Sequence, residues 1–217
     1  LRNTWMGIEE RKERERTERR ASVFQAALEV YAEEGYHGTT MEKIAERAEL
    51  SRATLYLYFK TKDNIFVQGI VSRSNSFGDQ LRRIYDRRDE VGPRLVEELW
   101  EAFKRFYIGD PVAFNMTLYF HQGEMIRSLP ESLRLMLDRT GSRNYTLLCR
   151  IMDYGVREGL LVSCNPRTLA EVVWTSFLGI IHLENSKRAM SRRTHLEPTW
   201  DLAFRVLSTG MEGRSLD

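Results

Sequence analysis

Cysteine is almost missing from these 217 residues. Cys149 and Cys164 form no CxxC pair and have no histidines at zinc-like spacing. No disulfide framework or metal site is therefore expected, and a reducing cytoplasm is the expected setting. His37, His121, His182 and His195 are scattered, and no Ser/His/Asp, paired-carboxylate or glycine-rich phosphate signature accompanies them. An enzyme is not expected, nor a cofactor. No apolar run reaches the ~18 residues of a membrane span, and the opening LRNTWMGIEERKERERTERR is too charged for a signal peptide. Strand-like alternation between turn dipeptides is missing too, which argues against a β-rich fold. An excess of one charge is also lacking: 33 Lys+Arg stand against 31 Asp+Glu. Any case for a nucleic-acid partner must rest on where the charge sits.

What is present is helical periodicity, with apolar residues three and four apart almost throughout. The chain is predicted to be all-α, an N-terminal three-helix unit followed by a larger helical C-terminal domain. The spacing predicts helices over 9–34, from Thr39 or Thr40 to Glu49, over 51–59, and over 62–88. Further helices are predicted at 94–108, 111–127, 131–158, 167–187 and 197–211. Gly35 sits where a helix-ending glycine belongs. Thr40 or Thr39 can cap the second helix, and Thr39 with Glu42 three later fits a capping box. Ser51 is the natural N-cap of the third. All five prolines fall at or near proposed helix starts.

The segment SRATLYLYF, residues 51–59, carries the first functional signal. Leu55 and Phe59 are i, i+4 and can face inward together, against Ile44, Ala45 and Ala48 of the preceding helix. Only ELS separates the two helices, so they form a helix-turn-helix. Its outer face then presents Arg52, Ala53, Thr54, Tyr56, Leu57 and Tyr58. Arg52 suits a guanine edge, and Ala53 or Leu57 a thymine methyl. The hydroxyls of Thr54, Tyr56 and Tyr58 suit phosphates. Lys60 and Lys62 add charge beside the start of the fourth helix, whose N-terminus favours an anion. From Ser51 to Lys62 there are three cations and no acid, whereas residues 1–63 hold 12 basic and 12 acidic residues. The charge signal is strictly local.

GYHGTTMEKIAERAELSRATLYLYFKTKDNIF, residues 35–66, resembles the DNA-binding segment of the TetR family of bacterial transcriptional regulators. The likeness rests on Gly35-Tyr36, Thr39-Thr40, Ile44-Ala45, Ser51, Thr54-Leu55-Tyr56, Tyr58-Phe59 and Lys62. It implies a charged extension at 1–18, a DNA-binding domain at 19–66 and a ligand-binding and dimerisation domain at 67–217. It also implies phosphate clamping by Thr40 and Lys62 and places residues 52, 53, 56, 57 and 58 on the recognition helix. The DNA-contact set is thus Thr40, Ser51, Arg52, Ala53, Thr54, Tyr56, Leu57, Tyr58, Lys60 and Lys62. Glu42 can accept from cytosine or cap its helix, the latter preferred. The family usually has glycine at position 49, where this chain has Glu49; a left-handed turn there costs a non-glycine residue about 1 kcal/mol.

RTLAEVVWTSFLGIIHLE, residues 167–184, is apolar nearly all round, as a helix buried on more than one side should be. With the last helix it resembles the family's four-helix dimer interface, for which Leu169, Val172, Leu178, Ile181, Trp200 and Phe204 are the candidate contacts. The middle helices are rich in aromatics with a few polar groups, the makings of a small-molecule site. The candidates for an apolar effector are Trp100, Phe103, Tyr107, Phe114, Tyr119, His121, Met152, Trp174 and Phe177. The resemblance implies a homodimeric repressor that binds a palindromic operator in double-stranded DNA and is released by ligand. A DNA-binding architectural or division-linked protein without ligand control is the alternative. The alternating Glu and Arg of EERKERERTERR suit a solvated helix, whose arginines can still reach phosphates or the minor groove.

Overall fold

A computed structural model describes residues 2–120, 123–191 and 194–211. The elements are α1 (Arg2–Gly38), α2 (Met41–Arg47), α3 (Arg52–Tyr58), α4 (Lys62–Asp86), α5 (Arg88–Val91), a 3₁₀ turn (Gly92–Arg94) and α6 (Leu95–Ile108). They continue with α7 (Pro111–Phe120), α8 (Gly123–Ser128), α9 (Glu131–Arg157), α10 (Pro166–Ser191) and α11 (Leu196–Met211). No strand occurs among the described residues.

Most departures from the predicted spans lie at helix ends. α1 begins seven residues earlier than position 9, because no proline interrupts residues 2–8. At Gly35 the backbone turns left-handed (φ 71°), and Tyr36–Gly38 form one further, redirected turn. The helix predicted at 111–127 is two described helices, α7 and α8. The chain after α4 adds a short turn of helix, α5, before Gly92 (φ 48°) and Pro93.

Two compact units emerge, and they do not follow a linear cut at residue 66. The first comprises residues 1–73 with 110–139; the second comprises 74–109 with 140–217. The first is built on Val23, Ala27, Leu28, Ile44, Leu55, Phe59, Ile65, Phe66 and Ile70, joined by Met116, Phe120, Leu133 and Leu137. Tyr36 packs against Phe66, Tyr119 and Phe120 at centroid separations of 5.3–5.9 Å. The ring of Phe24 occupies the space a Cβ at Gly69 would need, so glycine there lets α1 and α4 cross closely. The second unit centres on stacked rings. Phe77 lies 4.4 Å from Phe106, and Phe103 lies 5.0 Å from Phe177. Trp100 lies 5.0 Å from Trp200 and 6.1 Å from Phe204.

Candidate nucleic-acid interface

The interface starts from how α2 and α3 are held. Thr40, not Thr39, caps α2: its Oγ1 accepts from the Lys43 N–H at 3.3 Å. Thr39 is buried and donates its hydroxyl to the Gly35 carbonyl at 2.8 Å, so the capping box read from Thr39 and Glu42 does not form. The side chain of Thr39 is committed to closing the end of α1 instead. Arg47 ties α2 to α1: Nη1 donates to Glu29 at 3.3 Å, while Nη1 and Nη2 donate to the two Glu33 oxygens at 3.0 and 2.7 Å. That bidentate bond holds the Glu33 carboxyl below the usual carboxylate range.

The turn is tight. Glu49 adopts φ 54°, the left-handed conformation expected there. The Leu50 N–H reaches the Ala45 carbonyl at 2.8 Å, satisfying an acceptor that the end of α2 would otherwise leave open. Ser51 then caps α3 by accepting from the Thr54 N–H at 3.1 Å. Leu55 and Phe59 are buried at 0% and 2% exposure, which settles the rotation of α3.

That rotation turns Arg52, Ala53, Tyr56 and Leu57 outward, with Tyr56 50% and Leu57 82% exposed. Thr54 is half-buried, its hydroxyl 2.9 Å from Ser51 Oγ. Tyr58 is also half-buried, resting against the core beside Phe59, so it is less outward-facing than the sequence pattern suggests. Lys60 is exposed. Arg52 leans on Glu42 at 3.4 Å. Glu42 is held below its ordinary range, first by its own backbone N–H, then by Arg52 and the Thr40 hydroxyl. Glu42 thus lies between the Thr40 cap of α2 and the guanidinium of α3.

Lys62 is more constrained than sequence reasoning allowed. Its ammonium donates to the carbonyls of Tyr36 (2.6 Å) and Thr39 (3.0 Å) and sits 4.2 Å over the Tyr36 ring. Burial pushes its pKa down, with Asp63 opposing. Two of the three N–H groups serve these carbonyls, which leaves one for a phosphate. The Tyr36 hydroxyl donates to Asp63, and burial followed by that bond pushes its pKa up. Sequence reasoning missed this Tyr36–Lys62–Asp63 network, in which Tyr36 lies 26 and 27 residues from its partners with no shared periodicity. The arginines of EERKERERTERR were legible only as a group able to reach phosphates or the minor groove; Lys12, Arg16 and Arg19 line a groove of about 670 Å³ with Leu57 and Tyr58.

The other candidate sets fare differently. Of the proposed ligand contacts, Phe114 and Tyr119 belong to the first unit, whereas Trp100, Phe103, Tyr107, Met152, Trp174 and Phe177 belong to the second. His121 lies outside the described residues. Of the proposed dimer contacts, Leu169, Ile181 and Trp200 are buried within the second unit. Leu178 and Phe204 are half-buried, and Val172 is 45% exposed. The outward apolar stripe is instead Val172, Leu183 and Met190 on α10, with Leu202 and Val206 on α11. On the inner face of α10, Glu184 is only 3% exposed. It accepts from Arg188 Nε at 3.0 Å and from the His195 N–H at 3.2 Å. Burial alone would raise its pKa, but the Thr194, His195 and Arg188 donors outweigh burial and lower it.

The family model described as "Bacterial regulatory proteins, tetR family" matches residues 23–68. The fatty acid metabolism regulator protein of Bacillus subtilis is 32% identical over 137 residues, covering 63% of this chain and 68% of that protein. The HTH-type transcriptional regulator RutR of Escherichia coli is 32% identical over 162 residues, covering 73% and 71%. Among solved structures, FadR from Bacillus subtilis in complex with stearoyl-CoA aligns with a TM-score of 0.63 at 19% identity. That alignment covers 87% of this chain and 97% of FadR, a likeness of fold.

Proposed function

This chain belongs to the TetR family of bacterial transcriptional regulators, and from that premise we propose that it acts as a homodimeric repressor whose hold on a palindromic operator is relieved by a small, largely apolar ligand. The carrying observation is the outward face of α3. Arg52, Ala53, Tyr56 and Leu57 are exposed on a helix whose rotation is set by buried Leu55 and Phe59. Arg52 reads a guanine edge, Leu57 or Ala53 meets a thymine methyl, and Ser51, Thr54, Tyr56, Tyr58 and Lys60 position the backbone. Thr40 and the remaining N–H of Lys62 complete the phosphate contacts. Residues 19–66 do the reading; residues 67–217 bind ligand and dimerise. The setting is the cytoplasm, and no catalytic role is proposed.

One α3 spans too few base pairs for a unique address, so two copies must read half-sites about 34–36 Å apart, or a multiple of that. The apolar stripe on α10 and α11 supports the pairing, since isolated monomers seldom leave so much aliphatic surface in water. The ligand contacts lie among Trp100, Phe103, Tyr107, Met152, Trp174 and Phe177. The stearoyl-CoA bound by the FadR relative supports an apolar-tailed ligand class. A ligand that prefers a different separation of the two recognition helices weakens binding by that difference in affinity.

Selection of genomic fragments by the purified protein, followed by gel-shift and sedimentation, tests the proposal. A palindrome bound well above non-specific background by a dimer is expected. Failure to enrich any sequence refutes it.

A further inference from the structure

The long α1 overruns the three-helix unit, and its first turns contact no core: residues 9–19 are all exposed. Their phase is nevertheless informative. Val23, Ala27 and Val30 define the buried face of α1. Stepping back from Val23 by 4, 7 and 11 residues, Arg19, Arg16 and Lys12 continue that same face beyond the core. With Leu57 and Tyr58 of α3 they line one open groove of about 670 Å³, together with Glu15, Glu18 and Ser22. We propose that this N-terminal stretch of α1 is a second, sequence-independent DNA contact, in which Lys12, Arg16 and Arg19 hold the sugar-phosphate strand flanking the base pairs that α3 reads. This rests on the DNA-reading role proposed for α3.

A merely solvated, salt-laced helix would pair its cations with acids a turn away. Here only Arg11 closes such a bond, to Glu15 at 3.1 Å; Lys12, Arg16 and Arg19 have no carboxylate partner among the described residues. Instead Lys12 and Arg16 stand i, i+4, and Arg16 and Arg19 i, i+3, like-charge neighbours that disfavour an isolated helix. An anion lying across all three removes that penalty. Glu15 is already offset by Arg11, so the groove carries three cations against one uncompensated acid, Glu18. The stripe from Lys12 to Arg19 is about 10 Å long at 1.5 Å per residue. Laid along the duplex axis, that length passes about three phosphates of one strand, at about 3.4 Å of axis per phosphate.

The test is a salt titration of binding, by fluorescence anisotropy, to a labelled duplex recovered by genomic selection and keeping about ten flanking base pairs. Each lost phosphate contact flattens the slope of log K against log salt by about 0.9, so K12A/R16A/R19A should lose about 2.7 per subunit. Base preference at the centre should be unchanged, and trimming the flanks should erase the difference between variant and parent. Arg14→Ala, outside the groove, should leave the slope unchanged, and Glu18→Gln should tighten binding. A parental slope in the triple variant overturns the inference, as does an equal effect from Arg14→Ala and Arg16→Ala. Should the triple variant fail to fold by circular dichroism, unchanged affinity in both Arg16→Ala and Glu18→Gln overturns it. If the parent enriches no sequence at all, the DNA reading of α3 falls, and this inference with it.

Discussion

Among the helices that leave large apolar side chains in water, α3 and α10 do so in different company. On α3, Leu57 is 82% exposed beside Tyr56, with Arg52 and Lys60 at either side and hydroxyls between. On α10, Val172 and Leu183 are 45% and 50% exposed, and between them the same face carries small neutral residues, Ser176 and Gly179. Gly179 has open space where a Cβ would stand. A lone leucine among cations and hydroxyls matches a polyanion with methyl groups in its groove. An aliphatic stripe interrupted only by small residues matches a close-packed second copy of itself. Exposure does not separate the proposed DNA face from the proposed subunit face; the neighbouring groups do.

The largest effect should come from the α10 face. Leu183→Glu brings like charges together across a two-fold interface, a juxtaposition worth several kcal/mol. Sedimentation should show monomers, and operator affinity should fall at least a hundredfold while the thermal midpoint of the monomer barely moves. A dimer of normal affinity would mean that this stripe is not the interface. Next in size, Arg52→Ala should cost about 1–3 kcal/mol of binding and relax preference at one base pair. Loss of affinity spread evenly over all sequences would reassign Arg52 to a phosphate.

Glu184 provides a control on the inner side of α10. Its pKa is lowered in the folded state, so its stabilisation is present above the unfolded carboxylate range and is lost as pH falls through the folded value. Glu184→Gln should therefore lower stability at neutral pH by about 1.5–3 kcal/mol, the usual range for a hydrogen bond to a charged group. The gap to the parent should close in acid. Chemical denaturation at several pH values checks this, and a constant gap would refute it; assembly should be unaffected. Smaller again, Glu49→Gly relieves the left-handed strain at φ 54° and should stabilise by up to about 1 kcal/mol. A lower melting temperature would contradict that account. The smallest effect is expected of Tyr56→Phe, a uniform weakening of binding to every sequence, seen as parallel gel-shift curves.

Much of the DNA-reading unit was legible along the chain. Leu55 and Phe59 announced the inner side of α3 by their spacing and Ser51 its start, whereas the left-handed turn at Glu49 was expected only from the family resemblance. The inner side and the start depend on neighbours within four residues, where helical geometry alone decides. The second face was legible only as composition. A helix apolar all round, such as 167–184, has no phase in its sequence, so Leu169 and Ile181 could not be told from Val172 and Leu183. Competition with the rings of Phe103 and Phe177 and with the buried Glu184 decides which side faces in.

The sequence by itself determined most of the helices, the Ser51 cap, and the outward chemistry of residues 52, 53, 56 and 57, because those follow from local backbone geometry and side-chain period. Tertiary structure decided the rest. It brought Lys62 onto the carbonyls of Tyr36 and Thr39, grouped 110–139 with the N-terminal helices, and set Lys12, Arg16 and Arg19 beside Leu57. Those contacts join residues more than twenty apart. They depend on which surfaces exclude water together, and no local pattern records that.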